Sequence, residues 1–394
     1  MHPFLQKLLA GQAVEWKPLG EVAIVYGGLT GKKKADFEAG NAKYVTYKNI
    51  FGNIEVEESI LETVQIHDNE RQYEVKYGDV LFTGSSEIAE EAGMSSVVTT
   101  HFSEKVYLNS FSFGVRFHDD IEIKPEFTKF LFRSNFMRMQ IAKTASGVTR
   151  FNISKEKFKK IQIPIPPLSV QTKIAQILDV FTAITAELTA ELNIRNQQYQ
   201  YYRDKLLSEN ELAKVGFEWK SLGEVINLKR GKRLVRSELE ETGEYAVYQN
   251  SLQPLGYYHQ ANCPSNSTFI ITAGAAGEIG YSYTDFWAAD DCYYLECPKD
   301  KLNDRFVYHA LMNQKQKIVG QVRKASVPRL GRNSIENILI PIPPLAEQAR
   351  IVAILDKFDT LTQSISDGLP REIELRQQQY AYYREMLLGF DGVR

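Results

Sequence analysis

Apolar side chains recur at steps of three and four residues along a stretch that begins near residue 168. They occupy Ile174, Ile177, Phe181, Ile184 and Leu188. The same spacing resumes at Leu192, Arg195, Tyr199, Tyr202 and Leu206, where Arg195 is the one charged residue. Such steps align side chains along one stripe of a helix, as in a coiled coil. The pattern predicts a helix from Leu168 to Leu207, with one slip at TAELTAEL (185–192), where a four-residue unit is doubled.

A second stretch near the C-terminus has the same spacing. Its apolar and aromatic positions are Ile351, Ile354, Phe358, Leu361, Ile365, Tyr380, Tyr383 and Leu387. Gly368 and Pro370 lie in the middle of this stretch, and both residue types disfavour a continuous helix. We predict that the second helix kinks or breaks there. The two helical segments are expected to pair antiparallel, as a spacer between two globular modules.

Both helical segments belong to a larger internal repeat. IPIPPL (163–168) returns at 340–345, QQYQYYRDKLL (197–207) returns as QQYAYYREMLL (378–388), and EWKPLGEV (15–22) returns as EWKSLGEV (218–225). The chain is therefore two tandem copies of one unit. Because prolines do not continue a helix, IPIPPL is expected to mark where each module ends. An ordinary rigid linker would explain one copy of it, but not its return.

The stretches inside this repeated frame differ between the copies and predict mixed secondary structure. Strands are predicted at YVTYKNI (44–50), GDVLFTG (78–84), YAVYQN (245–250) and TFIITAGAAG (268–277), and helices are predicted at 127–143 and 304–320. The predicted fold class is α/β, with two tandem mixed α/β domains at 1–165 and 211–342 and long spacer helices at 166–210 and 343–394. The repeat also predicts a pseudo-twofold molecule whose chain ends lie close together.

Composition narrows the class of protein. A length of 394 residues suits two or three domains, and the three cysteines form no CxxC pair, which favours reduced thiols over a disulfide framework or a zinc site. The N-terminus lacks a signal-peptide pattern, and no apolar run has the length of a membrane span. These features predict a cytoplasmic protein.

The formal charge of −2 conceals an uneven distribution. No acidic residue lies between Glu126 and Glu156 or between Asp304 and Glu336, whereas both intervals contain several lysines and arginines. Two further basic clusters, GKKK (31–34) and KRGKRLVR (229–236), follow the two EWKxLGEV blocks. One such cluster would indicate only a solvated face. Duplicated clusters favour two phosphate-binding surfaces, because lysine and arginine displace counterions from a polyanion.

The duplicated motifs resemble a known family. IPIPPL followed by Gln171 or Gln348, then ILD, TAELTAEL and QQYxYYR, is similar to the DNA specificity subunit of type I restriction-modification systems, most like the type IC branch. The resemblance implies two target recognition domains, each reading one half of a split, asymmetric DNA sequence. It implies that the helices bind two modification (methyltransferase) subunits, to which restriction subunits add. S-adenosylmethionine and ATP with Mg²⁺ are then expected on the partner subunits, with no cofactor in this chain.

No catalytic motif is found in the sequence. It contains no GxxxxGK[ST] for ATP, no [ND]PP[FY] for amino-methylation, no HExxH and no GxSxG. The glycine-rich AGAAGEIG (273–280) lacks the spacing of a dinucleotide-binding loop and indicates a tight turn. We therefore expect a non-catalytic subunit without a metal site.

Candidate DNA-contacting residues lie in glycine-flanked loops of each module. Arginine reads guanine edges, asparagine reads adenine, and most lysines are expected to contact phosphates. The candidates are Lys32, Lys33, Lys34, Ser85, Ser86 and Arg150 in the first module, and Arg230, Lys232, Arg233, Asn250, Arg323, Lys324 and Arg329 in the second.

Two other classes of protein remain open at this point. A stand-alone DNA-binding protein would bind a bipartite site tightly without partners. A coiled-coil scaffold would show no salt-dependent affinity for DNA and would leave the duplicated basic clusters unexplained.

Overall fold

A computed structural model describes residues 1–363 and 367–390. Its residue contacts divide the chain into two compact units. Unit 1 comprises Met1–Glu187 and Ile373–Arg394, and unit 2 comprises Leu188–Glu372.

Unit 1 alternates short strands and helices before the first long helix begins. Its elements are α1 (Pro3–Leu9), β1 (Glu15–Pro18), α2 (Leu19–Val22), β2 (Ala23–Gly27), β3 (Ala42–Val45), α3 (Tyr47–Gly52), β4 (Glu62–Val64), β5 (Val80–Thr83), β6 (Ser85–Ser86), β7 (Ser95–Val97), β8 (Val106–Leu108), β9 (Ser112–Phe117), α4 (Pro125–Leu131), α5 (Asn135–Ala142), β10 (Ala145–Ser146), β11 (Phe151–Ile153), α6 (Lys155–Phe158), β12 (Gln162–Ile165) and the start of α7 (Leu168–Leu206).

Unit 2 repeats much of this order. Its elements are the end of α7, α8 (Glu209–Leu212), β13 (Glu218–Ser221), α9 (Leu222–Val225), β14 (Asn227–Arg230), β15 (Tyr245–Tyr248), β16 (Gly256–Tyr258), β17 (Ser267–Ile271), β18 (Ile279–Ser282), β19 (Trp287–Ala288), β20 (Cys292–Glu296), α10 (Asp304–Asn313), α11 (Lys315–Gly320), α12 (Arg332–Glu336), β21 (Leu339–Ile342), α13 (Leu345–Gln363) and the start of α14 (Leu369–Leu388).

The two units share one sheet topology although their sequences differ. Unit 1 has an antiparallel sheet in the order β2-β9-β5-β7, and unit 2 has the matching sheet β14-β20-β17-β18. A second sheet, β4-β3-β8 in unit 1 and β16-β15-β19 in unit 2, combines one antiparallel and one parallel pair. The sequence prediction of two tandem mixed α/β domains is confirmed, and the structure adds that both follow one plan.

The local predictions met mixed outcomes. The strands predicted near GDVLFTG, YAVYQN and TFIITAGAAG are β5, β15 and β17. The strand predicted at 44–50 was wrong in its second half, because Thr46 accepts a hydrogen bond from the Asn49 backbone and caps the helix α3. The predicted helix 127–143 is two helices, since Ser134 caps a new helix by accepting from Met137. The helix predicted at 304–320 is likewise divided into α10 and α11.

Each IPIPPL motif begins as a strand. In unit 1, β12 pairs antiparallel with β1, so that Trp16 faces Pro164; in unit 2, β21 pairs with β13, and Trp219 faces Pro341. Proline donates no backbone hydrogen bond, and a two-stranded ribbon tolerates it because each strand is an edge. The two prolines that follow separate the ribbon from the long helix.

The helices pair antiparallel within unit 2. Tyr202 of α7 stacks on Phe358 of α13 with ring centroids 5.3 Å apart. One turn earlier, the Tyr199 hydroxyl oxygen lies 3.4 Å from Asp359 Oδ1. Gln363, which follows Asp359 in α13, donates to Asn196, which precedes Tyr199 in α7. The two helices therefore run in opposite directions. In unit 1, Phe181 of α7 makes the matching stack with Tyr383 of α14 at 5.0 Å.

The break predicted at Gly368 and Pro370 is confirmed. Asp367 and Gly368 are not helical, and α14 begins at Leu369 with Pro370 in its first turn, where a missing backbone N–H is tolerated. The predicted seam position Ile365 lies outside the described residues.

The N-terminal helix and the C-terminal segment share one hydrophobic core in unit 1. Leu5 and Leu9 of α1 belong to the same buried cluster as Leu387, Leu388 and Phe390. The described ends of the chain therefore pack into the same core of unit 1, in agreement with the closeness that the repeat predicted. Residues 391–394 lie outside the described residues.

Candidate nucleic-acid interface

A β-hairpin projects from the end of the central sheet in unit 1. β10 pairs with β11, with Ser146 opposite Asn152, and β11 pairs in turn with β6. Five residues, 147–151, connect Ser146 and Asn152, the last pair of this hairpin. Gly147 has a φ of +148°, and a Cβ there would meet the Arg150 carbonyl oxygen at 1.9 Å, so only glycine fits. Val148, next in the loop, is 91% exposed.

Unit 2 places a matching hairpin at the matching strand end. Arg323 N donates to Arg329 O at 2.8 Å and Arg329 N donates back at 3.2 Å, which closes the five-residue loop 324–328. The anchor is also repeated: Leu330 N donates to Thr272 O at 2.8 Å, as Ile153 N does to Gly84 O at 2.9 Å in unit 1. The two units therefore present loops of equal length from the same point of the fold, with different side chains.

The hairpin of unit 1 brings predicted residues together. Arg150 Nε donates to Ser85 Oγ at 3.0 Å, although the two residues are 65 positions apart. Arg150 and Ser85 line two adjoining clefts, and Ser86 also lines the first, whose volume is about 450 Å³. Both clefts also contain Phe111, and the Arg150 guanidinium lies 6.0 Å from the centre of its ring.

Sequence reasoning missed Phe111. The side chain is 64% exposed, but Phe111, Phe113 and Val115 alternate as the inward face of a strand would. Phe113 and Val115 are indeed buried in β9, whereas Phe111 precedes the strand in a turn. No signal in the sequence separates it from a core residue.

The hairpin of unit 2 lines a basic cleft of about 380 Å³. The predicted residues Arg230, Arg323 and Arg329 all line it, as do Arg332 and Asp291. Arg230 is held in place because its Nε donates to the Asp290 carbonyl oxygen at 2.9 Å. Lys324 follows Arg323 in the loop and is exposed.

The remaining predicted residues of unit 2 lie on neighbouring loops. Lys232 and Arg233 are exposed directly after the β14 strand. Asn250 is also exposed, and its backbone carbonyl accepts a hydrogen bond from Ala275 in the AGAAGEIG turn. That glycine-rich segment is a turn after β17, with Gly274 at a φ of +78°.

The two basic clusters after the EWKxLGEV blocks do not occupy equivalent places. Gly28 N donates to Ser112 O and Gly231 N donates to Cys292 O, so these glycines correspond. Lys232 and Arg233 therefore follow the shared glycine at once, whereas GKKK begins three residues later. Lys33 and Lys34 are exposed. The side chain of Lys32 is only 3% exposed, and its ammonium group bonds to Glu70 and to the Gln65 carbonyl oxygen, which distinguishes it from Lys33 and Lys34.

Much of the first acid-free strip is also structural. Arg133 is half-buried and donates at 2.7 to 3.2 Å to the carbonyl oxygens of Ser95, Ile50, Phe51 and Asn53. Arg138 donates likewise to the carbonyl oxygens of Glu90, Ala92 and Gly93. Burial lowers the pKa of both guanidinium groups to about 10. The interpretation of the whole strip as a phosphate surface was wrong for these arginines, which bind the chain's own carbonyls.

The second strip begins with another structural cation. Arg305 is buried, its Nε donates to Asp356 at 2.7 Å, and its other arm bonds to Asp359. The guanidinium lies 4.4 Å from the ring centre of Tyr308 and 4.6 Å from that of Tyr281. Burial alone would lower the pKa of Arg305, but the two carboxylates outweigh it and raise that pKa. Unit 1 has a smaller cluster of charges at the matching place. There Lys129 bonds to Asp179 at 2.6 Å, and Asp179 lies 177 positions before Asp356 in the sequence.

His309 completes the buried cluster of unit 2. It bonds through Nε2 to Asp356 at 2.7 Å and through Nδ1 to the Tyr199 hydroxyl at 3.2 Å. Burial lowers the pKa of His309, because the desolvation of a charged imidazole outweighs the attraction of Asp356. The neutral ring then donates from Nε2 to Asp356 and accepts from Tyr199. This network ties α10 to the helices α7 and α13.

A comparison with protein families decides the identity. The family model described as "Type I restriction modification DNA specificity domain" matches residues 13–196 and again 214–375. The chain belongs to this family. The resemblance inferred from the repeated motifs is thereby confirmed.

Individual members of the family are similar over most of this chain. The putative type I restriction enzyme specificity subunit S.HindORF215P of Haemophilus influenzae is 32% identical, over 98% of both chains. The EcoR124I/EcoR124II specificity subunit of Escherichia coli is 37% identical over 60% of this chain and 65% of its own length.

Two solved structures have a similar fold. The type I restriction-modification S subunit from M. genitalium matches with a TM-score of 0.64 at 19% identity, over 98% of each chain. A second solved structure, described as the structural basis underlying complex assembly and conformational transition of the type I R-M system, matches with a TM-score of 0.56 at 17% identity. The match covers 96% of this chain and 98% of that one. Within residues 1–363 and 367–390, no helix is both long and apolar enough to span a membrane.

Proposed function

We propose that this chain recognises a bipartite, asymmetric DNA sequence and directs adenine methylation and restriction by partner subunits. Residues 1–165 and 211–342 are the two target recognition domains. One observation carries the proposal: the units share a topology and a five-residue hairpin loop at the same strand end, yet the loop and cleft side chains differ. Equal scaffolds with unequal contact residues are what two half-sites of different sequence require.

The helical segments 166–210 and 343–394 serve the assembly. We propose that each binds one modification subunit, giving two per chain, and that restriction subunits join this complex. The chain itself is non-catalytic in this scheme. S-adenosylmethionine binds the modification subunits, and ATP with Mg²⁺ binds the restriction subunits, where the chemistry takes place.

The duplicated surface of the helices supports this assignment. Tyr201 and Tyr382 occupy equivalent positions in the QQYxYYR motifs, and they are 58% and 60% exposed. An exposed tyrosine at the same place in each unit suits two copies of one partner, because tyrosine is a frequent anchor of protein interfaces.

The test is to express the chain with its modification subunit and to map methylated adenines by single-molecule sequencing of the host DNA. We expect a split motif of two short half-sites at a fixed spacing. No new methylation, with both proteins soluble and associated, would contradict the proposal and favour the scaffold. Gel-shift titration of the chain alone tests the remaining alternative, a stand-alone DNA-binding protein. Tight, specific binding without partners would indicate that alternative.

A further inference from the structure

One turn of the backbone is identical in the two units although its sequence is not. Ser112 N donates to Asn109 O at 3.2 Å, and Cys292 N donates to Ala289 O at 3.0 Å. In both units the residue before this donor accepts from the end of the central strand: Phe111 O from Gly84 N, and Asp291 O from Thr272 N, each at 2.8 Å. Phe111 and Asp291 therefore occupy the same position, beside the hairpin loop of their unit.

Phe111 is held rigidly where no core requires it. Its N–H donates to Asn109 Oδ1 at 3.0 Å, and its carbonyl oxygen accepts from Gly84, so both backbone groups are fixed. The exposed ring lies beside Arg150 at the mouth of the clefts described above. The exposed Ile88 lines the same cleft as Phe111 and Arg150, and an apolar patch of this kind beside a cation suits a contact surface.

Asp291 is fixed just as firmly. Its carbonyl oxygen accepts from both the N–H and the hydroxyl of Thr272, at 2.8 and 3.0 Å. Its carboxylate accepts no hydrogen bond from any of the residues 1–363 and 367–390, although it lines a cleft with Arg230, Arg323 and Arg329. An anion among arginines cannot serve as a phosphate contact, because it repels phosphate. It is suited to accept a hydrogen bond from an amino group on a base edge.

We infer that this shared position discriminates between bases in each half-site, with Phe111 contacting a thymine methyl group and Asp291 accepting a hydrogen bond from the exocyclic amino group of cytosine. The inference rests on the proposed function, because it assigns residues to the two half-sites. Phenylalanine makes apolar contact with the thymine methyl, and aspartate is the acceptor that pairs with cytosine N4. Each unit thereby reads a different base from the same backbone position.

The experiment compares four chains, each expressed with the modification subunit: the wild type, Phe111→Ala, Asp291→Asn and the control Ile60→Ala. Ile60 is an exposed apolar residue of unit 1 outside the clefts. Methylated adenines are mapped as before. We expect Phe111→Ala to lower discrimination at one thymine position about tenfold, and Asp291→Asn to do the same at one cytosine position of the other half-site.

The unaltered half-site is an internal control in each variant. Unchanged motifs in both variants would overturn the inference, as would weaker methylation at all sites without a change of preference. Loss of association with the modification subunit would overturn it as well, by making Phe111 a protein contact. Phe111→Leu provides a second variant if the alanine form does not fold. A wild-type chain that yields no split motif would instead refute the proposed function, so the two failures are distinguishable.

Discussion

The side-chain oxygen of Gln171 accepts a hydrogen bond from the backbone amide of Lys124 at 2.8 Å. Its amide nitrogen donates to the carbonyl oxygens of Glu122 and Pro166 at 2.8 and 2.7 Å. Gln348 repeats the arrangement with Asn303, Lys301 and Pro343. Both glutamines are fully buried, and each joins the first turn of a long helix to the domain and to the IPIPPL segment before it.

Replacement of this glutamine is expected to destabilise the joint. Gln171→Ala leaves a backbone N–H and two carbonyl groups without their partner, and each unsatisfied buried group costs about 1–3 kcal/mol. We expect the free energy of unfolding to fall by about 2–4 kcal/mol in Gln171→Ala and in Gln348→Ala, measured by urea denaturation. Gln377→Ala is the matched control, since Gln377 is an exposed residue of α14. An equal loss of stability in all three variants would contradict the role of Gln171 and Gln348 in holding each helix to its domain.

Arg305 is expected to be more sensitive than any surface cation. Arg305→Met removes the partner of Asp356 and Asp359 and leaves two carboxylates close together, which costs about 3–5 kcal/mol of stability. The triple variant Arg305→Met, Asp356→Asn, Asp359→Asn removes the stranded charges and is expected to recover most of that loss. Lys214→Met, which breaks the exposed pair with Glu211, is expected to leave the thermal midpoint unchanged. A triple variant no more stable than the single one would disprove the charge argument.

His309 is expected to give the protein a pH-dependent stability. Its folded pKa lies below the ordinary value of 6.5, so the unfolded chain binds a proton that the folded chain does not. Stability therefore falls as the pH drops from about 6.5 towards the lower folded pKa. The groups around the ring are Asp356, Asp359, Arg305 and Tyr199, of which Asp356 has a lowered pKa of its own and titrates below this window.

His309→Gln tests this directly, because glutamine can bond to Asp356 and Tyr199 without titrating. Urea denaturation of both proteins between pH 5 and 7 is expected to show a shallower pH dependence in the variant. The same slope in both proteins would mean that His309 does not contribute.

The lysines of GKKK are expected to separate into two kinds. Lys33→Ala and Lys34→Ala should weaken binding to all DNA sequences alike and reduce the slope of log affinity against log salt by about one each. Lys32→Ala should leave that slope unchanged but lower the melting temperature, because its ammonium group is bonded to Glu70. The assembled complex on duplex DNA gives the first quantity, and thermal unfolding gives the second. A reduced salt slope for Lys32→Ala would show that Lys32 contacts DNA and would contradict its structural role.

A circular permutant is expected to fold and function. The segment from Lys214 to Gly216 between α8 and β13 is exposed, while Leu5 and Leu387 share one core. We expect a chain that is opened at 214–216, with its original ends joined by a short linker, to methylate the same motif as the wild type. A permutant opened inside α13, at 354–355, is the control and should not fold. An inactive first permutant would contradict the predicted closeness of the ends.

The sequence predicted what is repeated or periodic. The return of IPIPPL after 177 residues identified where each long helix begins, and the three-and-four spacing identified the helices themselves. The residue types Gly368 and Pro370 identified the break in the second helix. Short elements were harder. Tyr47, Ile50 and Phe51 have strand-forming side chains, yet a single capping hydroxyl at Thr46 makes the segment helical. Such a cap involves one hydrogen bond, and seven residues are too few for periodicity to decide between the two structures.

The candidate interface was predictable only in part, for a physical reason. A cation in a sequence has no visible partner, and the carbonyl groups that bind Arg133 include Ile50 and Asn53, which lie 80 or more positions away. Arg133 and Arg150 are therefore indistinguishable in the sequence, although the fold half-buries Arg133 against backbone carbonyl groups and leaves Arg150 exposed. Phe111 was not predicted because an exposed phenylalanine and a core phenylalanine fit the same alternation of apolar and polar positions.

The stacked aromatic pairs of the helices indicate that the chain arose by gene duplication. Phe181 of the first repeat meets Tyr383 of the second, and Tyr202 of the first meets Phe358 of the second, so each repeat supplies to the other what it receives. Two separate, identical chains could make the same exchange of helices. A dimer of identical halves can read only a palindrome. Once a gene duplication had joined the halves, each could mutate its loops independently, and the ancestral symmetry of the target no longer constrained the sequence that the protein recognises.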